Sequence, residues 1–136
     1  MLTLSADALK SEARSRLQEI SGVNLAACYQ CGNCSAGCPC VEAMEIPPQR
    51  VMRMAQFGQI DAILQANTIW VCAACLTCSA RCPKGIDIAA VMEGLRHLVL
   101  RDRDHANYIA PAELAARQIE ELPPIALINN FRKLSL

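Results

Sequence analysis

Cys28-Tyr29-Gln30-Cys31-Gly32-Asn33-Cys34-Ser35-Ala36-Gly37-Cys38-Pro39 decides how this chain folds, because its spacing returns at Cys72-Ala73-Ala74-Cys75-Leu76-Thr77-Cys78-Ser79-Ala80-Arg81-Cys82-Pro83. Both runs read C-x2-C-x2-C-x3-C-P, both contain Cys-Ser-Ala-x-Cys-Pro, and together they hold eight of the nine cysteines. This is the ligand run of a [4Fe–4S] cluster, which needs one thiolate per iron. Three thiolates on a tight, helix-like turn surround one face of the cube. Backbone N–H groups of that turn can point at the sulfides and offset their negative charge. The fourth cysteine is already leading away, and in two-cluster proteins it ligates the other cluster. The expected sets are therefore Cys28, Cys31, Cys34 and Cys82 for one cluster, and Cys72, Cys75, Cys78 and Cys38 for the other. Pro39 and Pro83, with fixed φ and no N–H, turn the chain after the fourth ligand.

Other readings of the cysteines fit less well. Zinc sites take two C-x2-C knuckles for four ligands, whereas each run here has three cysteines at that spacing and a fourth beyond. A disulfide framework conflicts with the odd count of nine and with an N-terminus, Met1-Leu2-Thr3-Leu4-Ser5-Ala6-Asp7, that lacks the basic and apolar regions of a signal peptide. Cys40, directly after Cys38-Pro39, could substitute as a ligand or act as a redox thiol. The preferred reading is a small buried side chain near the cluster, as free cysteine usually is.

Composition narrows the class further. The chain has 136 residues, enough for one compact domain with arms. Its 13 basic and 13 acidic residues balance, which argues against general electrostatic binding to nucleic acid. Aliphatic residues abound and aromatics are few, as in a small helical core that the clusters would staple. No stretch approaches the roughly 18 apolar residues of a membrane span. Many thiols and no export signal imply a reducing cytoplasm. High hydrophobicity without a span suggests surface that a partner covers.

The rest of the chain reads as helix. Residues 5–21 form an amphipathic arm, with Ser5 as N-cap, Leu9, Ala13, Leu17 and Ile20 on one face, and Gly22 as stop. Pro48 suits a first helical position; Val51, Met54 and Ala55 follow at helical spacing, and Gly58 closes the segment. Met52 and Met54 are expected to fill core. A short helix covers Ile60 to Ala66, with Asn67 as its stop. Trp70 reads as a lid over a cluster or as core. Asp87 caps a long helix carrying Ile88, Val91, Met92, Leu95, Leu98 and Val99 to about Arg101. Arg81 and Lys84 sit beside ligands, as solvated surface or as charges felt by a cluster. Arg101-Asp102-Arg103-Asp104-His105 is a charged turn. Pro111 opens a last helix, which Pro123-Pro124 ends, and the apolar stretch Ile125 to Phe131 reads as a partner-binding arm or as a tail folded on the core. The resulting division is an N-terminal arm at 1–25, a two-cluster domain at 26–104, and a C-terminal helix and tail at 105–136. Hairpin signals are missing, so the fold class is all-α, an α-helical ferredoxin with a pseudo-two-fold pair of cluster motifs.

The first run, together with Gln49-Arg50-Val51-Met52-Arg53-Met54, Gly58, Ile69-Trp70-Val71-Cys72, Thr77-Cys78 and Arg81-Cys82-Pro83-Lys84-Gly85-Ile86-Asp87-Ile88, resembles the heterodisulfide reductase C-subunit family over about residues 26 to 98. That resemblance implies an electron-transfer protein carrying two [4Fe–4S] clusters. It would relay single electrons between the flavin-containing iron–sulfur A-subunit and the catalytic B-subunit of a heterodisulfide reductase. The cysteine-rich repeat of the B-subunit and a Gly-rich dinucleotide fingerprint are both missing from this chain, so substrate and flavin sites would lie in partners. Alternatives are a freestanding ferredoxin, an electron-transfer component of another oxidoreductase, and, least favoured, a structural zinc module.

Overall fold

The computed structural model describes residues 11–101, 115–121, 123–125 and 128. The regular elements are α1 (Glu12–Ser21), α2 (Asn33–Ala36), α3 (Pro48–Gln56), α4 (Ile60–Leu64), α5 (Thr68–Val71), α6 (Thr77–Ala80), α7 (Ile88–Leu100) and α8 (Ala116–Glu121), with 3-10 turns at Leu25–Ala27 and Val41–Ala43. No strand occurs among the described residues, so the fold is all-α as expected. The chain separates into two compact units, Met1–Leu98 and Val99–Leu136.

Local chemistry sets the ends of the long helices. Ser11 has extended backbone and its Oγ accepts from the Arg14 N–H at 3.3 Å, so α1 starts at Glu12. A single helix over 5–21 therefore does not run through Ser11; Ser5 and Leu9 lie outside the described residues. Gly22 ends α1 in the left-handed region (φ 66°) and its N–H reaches the Gln18 carbonyl at 2.9 Å. Of the expected apolar face, Leu17 is buried, but Ile20 is exposed. Pro47 in extended backbone and Pro48 at the first position open α3. Asp87 Oδ1 caps α7 through the Ala90 N–H at 3.0 Å. The Ser79 hydroxyl, followed by the Ala90 N–H, holds the Asp87 carboxyl below its usual value.

The core of the first unit is built from Leu17, Leu25, Val51, Met52, Ala55, Ile60, Ile63, Ile69, Ile88, Val91, Met92 and Leu95. Met54 is only half-buried, so Met52 alone fills core as both were expected to. Trp70 is 51% exposed, which rules out core packing. The helix after Gly58 stops at Leu64, short of Ala66. Asn67 then does more than stop it. Its Oδ1 accepts from the Glu45 N–H (3.0 Å), its Nδ2 donates to the Ala43 carbonyl (3.1 Å), and its own N–H meets Glu45 Oε2 (2.8 Å). Fully buried Thr68 donates to the Ile46 carbonyl and accepts from the Ile46 N–H, at 3.0 and 2.9 Å. This clasp anchors the connector that follows the first cysteine run.

Helix α1 reaches α7 at Gly94. A Cβ built there would lie 2.9 Å from Leu17 Cδ1 and 3.4 Å from Ser21 Cβ. Leu17 is fully enclosed and cannot swing aside. Gly94→Val should therefore destabilise the protein by about 1–3 kcal/mol through overpacking, read as a lower midpoint in thermal unfolding of the iron-loaded chain.

In the second unit, α8 carries an Arg117–Glu121 ion pair at 3.0 Å. Ile119, Ile125 and Ile128 are exposed. Pro111, Leu114 and Leu122 lie outside the described residues, as does the Asp102–His105 part of the charged turn. Pro123 is not helical, but Pro124, Ile125 and Ile128 are, so helical backbone resumes where an arm was expected.

Candidate metal centre

Each cysteine run builds the same loop. The second residue after Cys28 and the first after Cys31 are left-handed, Gln30 at φ 66° and Gly32 at φ 87°. Their counterparts in the second run are left-handed too, Ala74 at φ 50° and Leu76 at φ 62°. Left-handed residues set in such a turn direct successive N–H groups to one side, making a concavity suited to negative charge. One helical turn follows each loop, α2 over Asn33–Ala36 and α6 over Thr77–Ala80, placing Cys34 and Cys78 at corresponding points.

The repeat continues into the helices that brace the loops. Ser35 Oγ accepts from the Gln49 N–H (2.8 Å) and Ser79 Oγ from the Ala89 N–H (3.3 Å), in each case the second residue of the following helix. That explains why Cys-Ser-Ala occurs twice. Deeper in those helices, Gln56 Nε2 donates to the carbonyls of Leu25 (2.9 Å) and Cys28 (2.7 Å). Arg96 Nε donates to the Ile69 carbonyl at 2.6 Å, and its guanidinium also reaches the Cys72 carbonyl. Leu25 and Ile69 stand in the same relation to their cysteines, so Gln56 and Arg96 brace equivalent backbone. The loops correspond 44 residues apart and the helices 40 apart, with Val51-Met52 matching Val91-Met92, all four buried. The first half absorbs the difference in the connector that Asn67 and Thr68 clasp. Gln49 adds a bond from its Nε2 to the Gln30 carbonyl at 3.1 Å.

The two halves meet through α2 and α6. There Arg81 lies across Gly37, its counterpart in the repeat: a Cβ on Gly37 would fall 2.5 Å from Arg81 Nε and 3.0 Å from Cζ. Arg81 is exposed, yet its side chain also lies against the first half rather than being only solvated.

Cys38, Cys72, Cys75 and Cys78 line one recess, together with Cys40 and an apolar wall that includes Met44, Pro48, Ala89 and Met92. Cys40 is half-buried on that wall. Near the other run, Lys84 Nζ stands 5.8 Å from the centre of the Tyr29 ring. Desolvation pushes the Tyr29 phenol up, and the surrounding sulfurs of Cys31, Cys82 and Cys28 push the same way. Burial raises the Cys34, Cys38 and Cys78 thiols, while a hydrogen bond with the Thr77 hydroxyl lowers Cys75. Thiols held up by burial need iron to keep them as thiolates. Among the described residues, no three Cys, His, Asp or Glu side chains converge as they would on a single metal ion. The second-run thiols and Cys38 instead ring a space, which fits a polynuclear cluster.

Residues 27–87 match the family described as the 4Fe-4S dicluster domain. The chain is 36% identical over 84 residues to the C2-subunit of the H(2)/formate:CoB-CoM heterodisulfide,ferredoxin reductase of Methanococcus maripaludis, covering 62% of this chain and 45% of that one. It is 33% identical over 109 residues to the second iron–sulfur C-subunit of the CoB–CoM heterodisulfide reductase of Methanocaldococcus jannaschii, covering 73% and 58%. The iron–sulfur C-subunit of the Methanopyrus kandleri CoB–CoM heterodisulfide reductase is 32% identical over 84 residues, 62% of this chain and 44% of that one. The cysteine module belongs to the heterodisulfide reductase C-subunit family. It carries two [4Fe–4S] clusters. The chain spans about half the length of the curated relatives it matches.

Within the dicluster module, the recess gathers Cys38 with the second run, and Tyr29 has Cys82 beside the first. Sequence reasoning missed Gln56, Arg96, Asn67 and Thr68 as the residues that fix the loops and their connector. The repeated Val-Met pair was the one signal available for Gln56 and Arg96. Sequence also passed over the strain at Leu76, whose counterpart is glycine. A left-handed side chain costs about 1–2 kcal/mol, and Leu76 is 57% exposed, so it loses little packing on removal. Leu76→Gly should raise the stability of the iron-loaded module by about 1 kcal/mol, seen as a higher denaturation midpoint. No helix among the described residues is long and apolar enough to cross a membrane.

Proposed function

We propose that this chain is the electron relay of a heterodisulfide reductase-like complex in the cytoplasm. Single electrons would pass from a flavin-containing iron–sulfur protein, through both clusters, to a catalytic protein, or in the reverse direction. When bound, each cluster accepts and releases one electron. The chain's own residues do the rest: cysteines hold the irons, Ser35, Ser79, Gln56 and Arg96 fix the loops, and the apolar wall of the recess keeps water away. The ligand sets proposed are Cys28, Cys31, Cys34 and Cys82, and Cys72, Cys75, Cys78 and Cys38. The observation that carries the reading is the joining of two duplicated thiol loops through α2 and α6, which would hold both clusters in one small body. The C-terminal residues 105–136 are proposed as the partner-facing arm, since α1 is spent on the core through Leu17.

The test is anaerobic purification with iron and sulfide counting, EPR under titrated potential, and rapid mixing of the reduced protein with candidate partners. Two clusters that are oxidised by the catalytic protein of such a complex far faster than by generic acceptors would support the relay. A monodisperse monomer that gives electrons equally to any acceptor would sink it in favour of a freestanding ferredoxin.

A further inference from the structure

Gln56 and Arg96 occupy one structural place in the two halves, and only one of them is charged. Gln56 meets the Cys28 carbonyl at 2.7 Å with a neutral amide. Arg96 meets the Cys72 carbonyl with a guanidinium. Cys28 and Cys72 are each the first ligand of their run. The Arg96 side chain is 16% exposed, whereas its counter-ion Glu93, 3.1 Å away, is 54% exposed. Glu93 also meets His97 Nε2 at 3.3 Å. Water screens the carboxylate more than the guanidinium, so the positive charge survives at the Cys72 end.

We propose that Arg96 sets the two clusters apart in potential, raising that of the cluster on the Cys72 run above what a neutral amide would give. One-electron reduction adds one negative charge to the cluster and moves no proton. A fixed positive charge lowers the energy of that reduced form more than of the oxidised form. Charge, hydrogen bonds and burial are the protein's levers on such potentials. Arg81 against the first half and Lys84 near Tyr29 add a background that substitutions at 56 and 96 leave in place. The proposal rests on the dicluster reading and on Cys72, Cys75 and Cys78 sharing a cluster, which holds whether or not the fourth ligands cross.

The experiment is a potentiometric titration followed by EPR, on anaerobic holoprotein with iron and sulfide counted first. Wild-type counts below two clusters would sink the dicluster reading and this proposal with it. In fully loaded protein, Arg96→Gln should lower one midpoint and leave the other in place. The expected change in the reduced-to-oxidised ratio is several-fold to tenfold, where tenfold corresponds to about 59 mV for one electron. Gln56→Arg should raise the other midpoint, and the double exchange should move both in opposite directions. Arg96→Lys keeps the charge without the fork and should hold the midpoint near wild type, which a merely structural role would not do. No shift, or an equal shift of both midpoints, overturns the proposal. If Arg96→Gln fails to load its cluster, Gln56→Arg decides alone: without a selective rise, the idea fails.

Discussion

Stripping iron from the protein with a chelator should remove most of its helical circular dichroism, not merely its colour. Three of its helices, α2, α5 and α6, are four residues long. Isolated helices much shorter than about 12–15 residues are marginal in water, and α3 and α1 have only 9 and 10 residues. The loops add a cost. Gln30, Ala74 and Leu76 are left-handed without being glycine, each at about 1–2 kcal/mol. Metal binding to an unformed site is folding free energy, so the clusters must offset that strain and hold the loops against α3 and α7. The expected result is loss of more than half the ellipticity in the far-ultraviolet helix band and of cooperative melting, both restored on reconstitution. An iron-free chain that keeps its spectrum and melts within a few degrees of the holoprotein would refute the stapling argument.

The second large effect concerns which cysteines share a cube. If the fourth ligands cross, Cys28→Ser and Cys82→Ser attack the same cluster. The double variant should then lose no more iron than the worse single one. Cys72→Ser combined with Cys82→Ser should lose both clusters. Ligands within one run give the opposite pattern: Cys72 and Cys82 would then be non-additive, and Cys28 with Cys82 would empty the protein. Non-additivity within a shared site is what makes iron counting on paired variants decisive. The proximity of Cys82 to Tyr29, and of Cys38 to the second-run thiols, favours the crossed outcome.

Much of the architecture was legible because local chemistry wrote it. Pro48 and Asp87 announced α3 and α7, Gly22 announced the end of α1, and the cysteine spacing announced the duplicated loops. The helix ending at Gly22 was expected to begin at Ser5, and the non-helical backbone at Ser11 starts it at Glu12 instead, a local turn that the apolar spacing does not reveal. The bracing residues were hidden for a different reason. Gln56 and Arg96 act on carbonyls 31 and 27 residues away, and they share neither size nor charge. Equivalence of place without equivalence of type leaves no pattern to find. Asn67 looked like a helix stop because its long-range partners, Ala43 and Glu45, lie on the far side of α3 and α4 in sequence. The ligand assignment rests on a rule about how such runs pair, and the recess and the surroundings of Tyr29 support it.

The contact between Gly37 and Arg81 bears on how such a protein could arise. A symmetric dimer of two identical half-length chains must place one residue type on both sides of its central contact. Two arginines would compete for the same space, and two glycines would leave it unfilled. A fused gene, with halves free to diverge, can set a small residue against a large one there. The same freedom allowed a neutral brace in one half and a cationic one in the other. Tandem duplication thus did more than double the number of metal sites: it made them individually addressable by selection.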